Sequence, residues 1–303
     1  MKKIVLLDGG MGQELMKRSK SAPHPLWSAK VLLDEPELVE NVHVDFIKSG
    51  AKVITLNTYS ITPERLARDG DVSLFEELQN KAITVAQRAR EKASAHDVRI
   101  AGCLPPLFGS YHPEVAPKFE ECVERYLTIV EQQYKEVDLF LCETMSSIKE
   151  AKASITAAKT FNTETWCALS IEDNDKSLLR SKEPLEDAMV ELATLNHQAN
   201  LLNCSTPEAI SVAIKKINLS EKYFGAYANG FTSIDSLELG GTVDSLKARQ
   251  ELTPPLYAKF VSDWVSSGAT IVGGCCEISP LHIRKLRETL ERTEYELVSR
   301  PDH

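Results

Sequence analysis

Long apolar runs are missing from this sequence. None of its 303 residues falls in a stretch of the ~18 consecutive apolar positions that a membrane-spanning helix needs. The opening MKKIVLLDGG has a basic pair, but its apolar run, Ile4 to Leu7, stops at Asp8. A secretory core needs roughly 7–15 apolar residues, so neither a span nor a leader is expected. Basic charge is also in deficit, with 35 Lys and Arg against 44 Asp and Glu and a formal net charge of −9. A protein that tracks nucleic-acid phosphates needs a basic face, and that class is excluded. The short cluster Lys17-Arg18-Ser19-Lys20 reads as a solvated loop. The seven cysteines, at 103, 122, 142, 167, 204, 275 and 276, contain no CxxC pair. An odd number without that spacing is no disulfide framework, and a cytoplasmic, reducing location is expected. A dinucleotide fingerprint fails as well: starting from Gly10 and Gly12, its third glycine would fall at Leu15.

With those classes set aside, the pattern of the chain stands out. Hydrophobic residues make up 43%, enough for a large core, and no linker or composition shift divides the sequence. Short apolar runs near 4–8, 51–57, 98–103, 138–142, 165–171, 199–203, 222–228 and 269–274 read as strands. Between them, helical periodicity covers 37–49, 73–94, 116–136, 146–160, 185–195, 206–217, 254–267 and 279–293. Leu78, Ile83, Ala86 and Ala89 show that spacing. Thr206-Pro207 and Ser279-Pro280 each supply an N-cap followed by proline. Eight strands alternating with eight helices describe a single-domain (β/α)₈ TIM barrel over 1–303, with a short tail after about 293. A doubly wound open sheet is the rival that periodicity leaves open. The connections 9–36 and 229–253 are long and both follow strands. They would lie at the carboxyl ends of the barrel strands, where barrel active sites form.

One stretch, TIVGGCCEISP at 270–280, places Cys275 and Cys276 side by side at the end of the last strand. Neighbouring Cα atoms are about 3.8 Å apart, below the roughly 4.4–6.8 Å of a disulfide. Two buried thiols, a redox pair or two ligands of one metal remain. Gly273 and Gly274 would let the strand end turn through angles other residues avoid, so that both thiols face one point. Cys204, at the end of the sixth strand, falls on the same rim. Three thiolates with one open position are the donor set of a catalytic zinc, while inert buried thiols stay the alternative. Cys122 and Cys167, and also Cys103 and Cys142 at their strand ends, read as core.

The segments GGCC at 273–276, NCS at 203–205, DGGMGQEL at 8–15, PLWSAKVL at 25–32 and CETMSSIKEA at 142–151 resemble the homocysteine S-methyltransferase family. That family includes S-methylmethionine-, betaine- and cobalamin-dependent methionine-forming enzymes, and the resemblance runs in order from about residue 4 to about 290. It implies a (β/α)₈ barrel that binds homocysteine, with Zn²⁺ held by Cys204, Cys275 and Cys276. It further implies that Asp8 and Glu143 hold the homocysteine amino group. Asn203 joins this substrate-binding set as a group that orients its neighbours. The sequence departs from many relatives at Glu277, where they carry arginine, and around Asn57-Thr58-Tyr59. Glu277 either adds negative charge beside the site or caps the following helix.

The expected chemistry is methyl transfer from a sulfonium donor to the homocysteine thiolate, giving methionine. Zinc coordination would deprotonate the thiol. Aromatic faces hold sulfonium or quaternary-ammonium charge, and Trp27, Tyr59 and Tyr111 are the candidates. S-methylmethionine or S-adenosylmethionine leads as donor, because the chain lacks the extra domains and extension of cobalamin- and betaine-dependent relatives. A betaine-type or partner-dependent donor, or a zinc- or thiol-binding barrel without catalysis, are the other readings.

Overall fold

The computed structural model describes residues 1–21, 24–217, 223–241 and 245–301. Residue 222 of the strand expected over 222–228, and residues 22–23 and 242–244 of the two long connections, lie outside them. Nine strands form one sheet among the described residues: β1 (Lys2–Leu6), β2 (Val53–Thr55), β3 (Arg99–Leu104), β4 (Leu139–Met145), β5 (Thr165–Leu169), β6 (Ala199–Asn203), β7 (Tyr223–Tyr227), β8 (Ile271–Val272) and β9 (Tyr295–Leu297). The helices are α1 (Met11–Arg18), α2 (Ser28–Asp34), α3 (Pro36–Ser49), α4 (Pro63–Asp69), α5 (Phe75–Lys92), α6 (Phe119–Gln133), α7 (Ile148–Lys159), α8 (Leu185–Ala193), α9 (Pro207–Ile217), α10 (Pro254–Ser266) and α11 (Pro280–Glu291). None of the described helices is long and apolar enough to cross a membrane.

The ladder runs β2-β3-β4-β5-β6-β7-β8-β1-β9, with every pairing parallel. Each sequential strand lies beside its predecessor from β2 to β8, and each pair is joined through helix. The sheet curls until the end of β1 approaches β2. A bridge joins Leu7 to Val53, and Lys52 N–H donates to the Leu6 carbonyl at 2.7 Å.

Alternation along the strands divides the core in two. Val5, Leu7, Val53, Ala101, Leu139, Leu141, Trp166, Ala168 and Leu201 pack together in the concave interior. Their neighbours Ile4, Leu6, Ile54, Ile100, Phe140 and Cys167 pack outward beneath the helices. A strand buried on both faces by this period-two alternation is what an apolar run encodes.

Several elements differ from the sequence reading. Helices α1 and α2 lie inside the 9–36 connection, so Lys17 and Arg18 belong to a helix rather than a loop. Arg18 bonds Glu14 at 2.9 Å and Asp45 at 2.6 Å, which fixes it against α3. The second and eighth strands are shorter than the apolar runs, and β4 is longer, reaching Met145. The tail after 293 is a ninth strand, pairing Tyr295–Leu297 with Lys2–Ile4.

Candidate metal and substrate site

Period two aims the site residues inward. Leu139 and Leu141 face the interior of the sheet, so Glu143, next in phase on β4, points the same way. Tyr227 on β7 and Cys103 on β3 follow the same rule. These side chains and Asp8, just past β1, gather at the carboxyl ends of the strands. Asp8, Glu143 and Tyr227 line a cavity of about 840 Å³ including its open mouth. Trp27, Tyr59, Tyr111, Cys204, Cys275 and Cys276 line it too. Asn203 stands behind the wall: its amide oxygen accepts from Thr144 N–H at 3.1 Å and its nitrogen donates to Thr144 Oγ1 at 3.0 Å. It thereby holds the left-handed Thr144 (φ 57°) next to Glu143.

The sulfurs of Cys204, Cys275 and Cys276 all lie within 4.8 Å of one another. Cys204 and Cys275 are paired sulfur to sulfur across Cα atoms 5.9 Å apart. Zinc–sulfur bonds of about 2.3 Å at tetrahedral angles separate sulfurs by about 3.8 Å, so this cluster fits a three-thiolate metal site with small side-chain adjustment. The loop is tied from both sides: Gly274 N–H donates to the Asp8 carbonyl at 2.9 Å and Cys275 N–H to Ala228 at 3.0 Å. The two glycines serve close approach here. A Cβ on Gly273 would lie 2.5 Å from Leu7 Cβ, and one on Gly274 would lie 2.2 Å from Ile278 Cγ2. Neither is among the glycines with positive φ, which corrects the expectation of unusual backbone angles. Cys204 itself has φ 46°, held by Arg180 and Ser170, which donate to its carbonyl at 3.3 Å each.

The two carboxyls are buried without a cation. Thr55 N–H donates to Asp8 Oδ2 at 2.8 Å, yet burial, with repulsion from Glu143, pushes the Asp8 carboxyl up to about 8. Glu143 accepts from Cys103 Sγ–H and from Tyr227 O–H, each at 3.2 Å. Burial outweighs those bonds and raises Glu143 to about 7. Burial likewise pushes the Cys276 thiol up to about 12, with Glu277 and Glu143 adding to it. Every one of these shifts has the same electrostatic meaning: the cavity penalises negative charge until a cation enters.

Of the aromatic candidates, two already face arginines. The Arg65 guanidinium lies 5.2 Å from the Tyr59 ring centre and Arg180 lies 5.3 Å from that of Tyr111. Trp27 carries no such cation among the described residues, and its indole N–H is buried without a partner. Of the two readings of Glu277, the added negative charge beside the site holds, since it helps raise the Cys276 thiol, and the helix cap does not. Ser279 and His282 cap α11 reciprocally, and Glu277 pairs with Lys17 at 2.8 Å. That partner comes from the helix that the sequence reading left as loop.

Sequence reasoning missed Gln13, Cys103, Tyr227 and Thr144. Gln13 sits on α1 with its amide buried against the cavity, near enough to the Cys276 thiol to favour its ionised form. Its only signal was its place in DGGMGQEL. Cys103 was read as core packing, and it is buried, but its thiol faces Glu143. Strand phase would have placed both Cys103 and Tyr227, given the strand ends.

A curled parallel sheet with a cavity at the carboxyl ends of its strands, lined by carboxyls, thiols and aromatic rings, is the arrangement of a barrel-like enzyme. This chain belongs to the homocysteine S-methyltransferase family, whose model matches residues 5–290. It is a methyltransferase, and its family carries methyl transfer to homocysteine. Homocysteine S-methyltransferase of Escherichia coli K12 is 27% identical over 301 residues, covering 94% of each chain. The metallated form of the E. coli homocysteine methyltransferase MmuM superposes with a TM-score of 0.79 at 26% identity, covering 95% of this chain and 96% of that one. Its oxidised form gives 0.79 at 26%, covering 94% and 95%.

Proposed function

We propose that this protein is a zinc-dependent enzyme that moves a methyl group from a sulfonium donor to homocysteine, forming methionine in the cytoplasm. The reading takes the whole chain as one closed (β/α)₈ barrel domain. One observation carries it: three converging thiols share a cavity with two buried carboxyls that have no cation. Cys204, Cys275 and Cys276 would hold Zn²⁺, their reduced sulfurs supplying the charge that a divalent ion balances. When bound, the metal supplies a position at which a fourth thiol ionises near neutral pH.

The remaining work falls to the protein's own groups. Asp8 and Glu143 receive the homocysteine ammonium, which replaces the missing cation and restores both carboxylates. Tyr227 and Cys103 keep Glu143 aimed, and Asn203 keeps Thr144 beside it. Trp27 covers the donor's positive centre, which Tyr59 and Tyr111 flank. The substrate sulfur forms a bond to the methyl carbon as the donor's carbon–sulfur bond breaks, and the electron pair leaves on a neutral sulfide. No protein acid is needed for that leaving group, so positioning carries the catalysis.

The test is a donor panel. Reduced, zinc-loaded protein with homocysteine should form methionine from S-methylmethionine or S-adenosylmethionine, and betaine should give none. Absence of product from all three overturns the reading. Cys276→Ser should lose bound zinc, with activity falling by more than the roughly 10–100-fold that losing a residue behind a metal ligand costs. Equal zinc content in both proteins overturns the ligand set.

A further inference from the structure

A second cavity, about 560 Å³ with its opening, lies beside the first. Trp27, Tyr59, Ser110 and Leu237 line both, so the two spaces meet along one wall. Its cationic lining consists of Arg65, Arg68 and His112. Two of these are committed. Arg68 forks onto Asp69 at 2.9 and 2.6 Å and donates to the Phe108 carbonyl. His112 bonds Glu114 at 2.7 Å and the Leu237 carbonyl at 3.2 Å.

Arg65 is different. Its guanidinium donates to the Pro106 carbonyl at 2.9 Å, while its Nε is buried with no partner. Among the described residues it has no carboxylate in ion-pair reach. The other arginines that are not fully exposed, Arg90, Arg99, Arg125, Arg180, Arg249 and Arg287, each pair with Asp or Glu. An arginine is always charged, and burying an unpaired charge is expensive. A half-buried guanidinium left unpaired on a cavity wall, in a chain that pairs its other buried arginines, is a vacancy for an anion.

We infer that this side cavity is the subsite for the α-carboxylate of an amino-acid methyl donor, with Arg65 as its counter-ion. The inference rests on the proposed methyl transfer and narrows its donor to a sulfonium amino acid. The sulfonium lies against Trp27 in the main cavity, and the amino-acid arm passes Tyr59 into the side cavity. Glu238, which lines the same cavity and has no ion pair among the described residues, faces the donor ammonium.

The experiment measures donor binding by calorimetry on zinc-loaded protein without homocysteine, then steady-state kinetics. The probes are S-methylmethionine, S-adenosylmethionine and the α-carboxamide of S-methylmethionine. Wild type should bind the carboxamide roughly 10- to 100-fold more weakly than the acid, the size of one charge-assisted bond. Arg65→Met should weaken the acid by a similar factor, raise the KM of the donor, and leave the carboxamide unchanged. Arg65→Lys should recover part of the loss. Whichever sulfonium shows the Arg65-dependent loss is the donor. Wild type binding acid and carboxamide alike overturns the subsite, and that comparison needs no variant to fold. A rise in the KM of homocysteine rather than of the donor also overturns it, by giving Arg65 to the acceptor. Arg65-dependent binding without methionine formation would keep the subsite and sink the proposed reaction. Methionine formation indifferent to Arg65 would do the reverse.

Discussion

Asp8 and Glu143 illustrate how a site can cost the fold that carries it. Asp8 titrates near 8 in the folded protein against 3.8 when unperturbed, and Glu143 near 7 against 4.5. Between those values the folded state binds more protons than the unfolded state. Stability of the metal-free, substrate-free protein therefore falls as pH rises from about 4 to about 8. Asp8→Asn and Glu143→Gln should flatten that fall. At pH 8 each should be more stable than wild type by more than about 1.4 kcal/mol, the worth of one pK unit. Both should also lose homocysteine affinity. Thermal melts across pH 4–8 check the first point, and equal pH slopes in wild type and variants would contradict it. The cysteines were legible at this scale because adjacent thiols at a strand end have few uses. Arg65 and Gln13 were not, since a charge or an amide in a short helix looks the same whether it faces water or a cavity.

The elements were largely readable because both faces of each strand are buried. Continuous apolar runs and helical periodicity placed β1 to β8, α3 and every helix from α5 to α11 within a few residues. Helices α1, α2 and α4 escaped, being only 7 or 8 residues long, about two turns and too short for the pattern to repeat. Gly225 shows a constraint that no pattern reveals. It lies in register with Ile271, and a Cβ there would stand 1.7 Å from the Ile271 carbonyl oxygen. Gly225→Ala must push β7 away from β8 and should destabilise the protein by roughly 1–3 kcal/mol. Because β8 leads directly into the cysteine loop, the proposed zinc affinity should fall with it. Urea unfolding and zinc titration measure the two effects, and an unchanged urea midpoint would refute the strain.

At the scale of the whole molecule, β9 was invisible because three alternating residues after a complete set of eight strands carry little signal. It uses the same edge of β1 that β2 uses further along. Lys2 N–H donates to Glu294 and Ile4 accepts from Val298, while Leu6 accepts from Lys52. Arg99 also reaches the Ser299 carbonyl at 3.4 Å. Truncation after Thr293 removes the whole β1–β9 ladder, the bonds at Lys2 and Ile4 included, and should cost at least about 2 kcal/mol, lowering Tm by roughly 3 °C or more. A melt at the wild-type temperature would show that β9 is dispensable. This wedge has a consequence for synthesis. Translation delivers the chain amino end first, so β1, which leads into Asp8, emerges long before its partners near residues 272 and 296. The three thiols are likewise incomplete until Cys276 emerges. A ribosome stalled before Cys275 holds a chain that lacks two of the three thiols proposed to bind the metal, and the pocket is completed only when that segment joins β1.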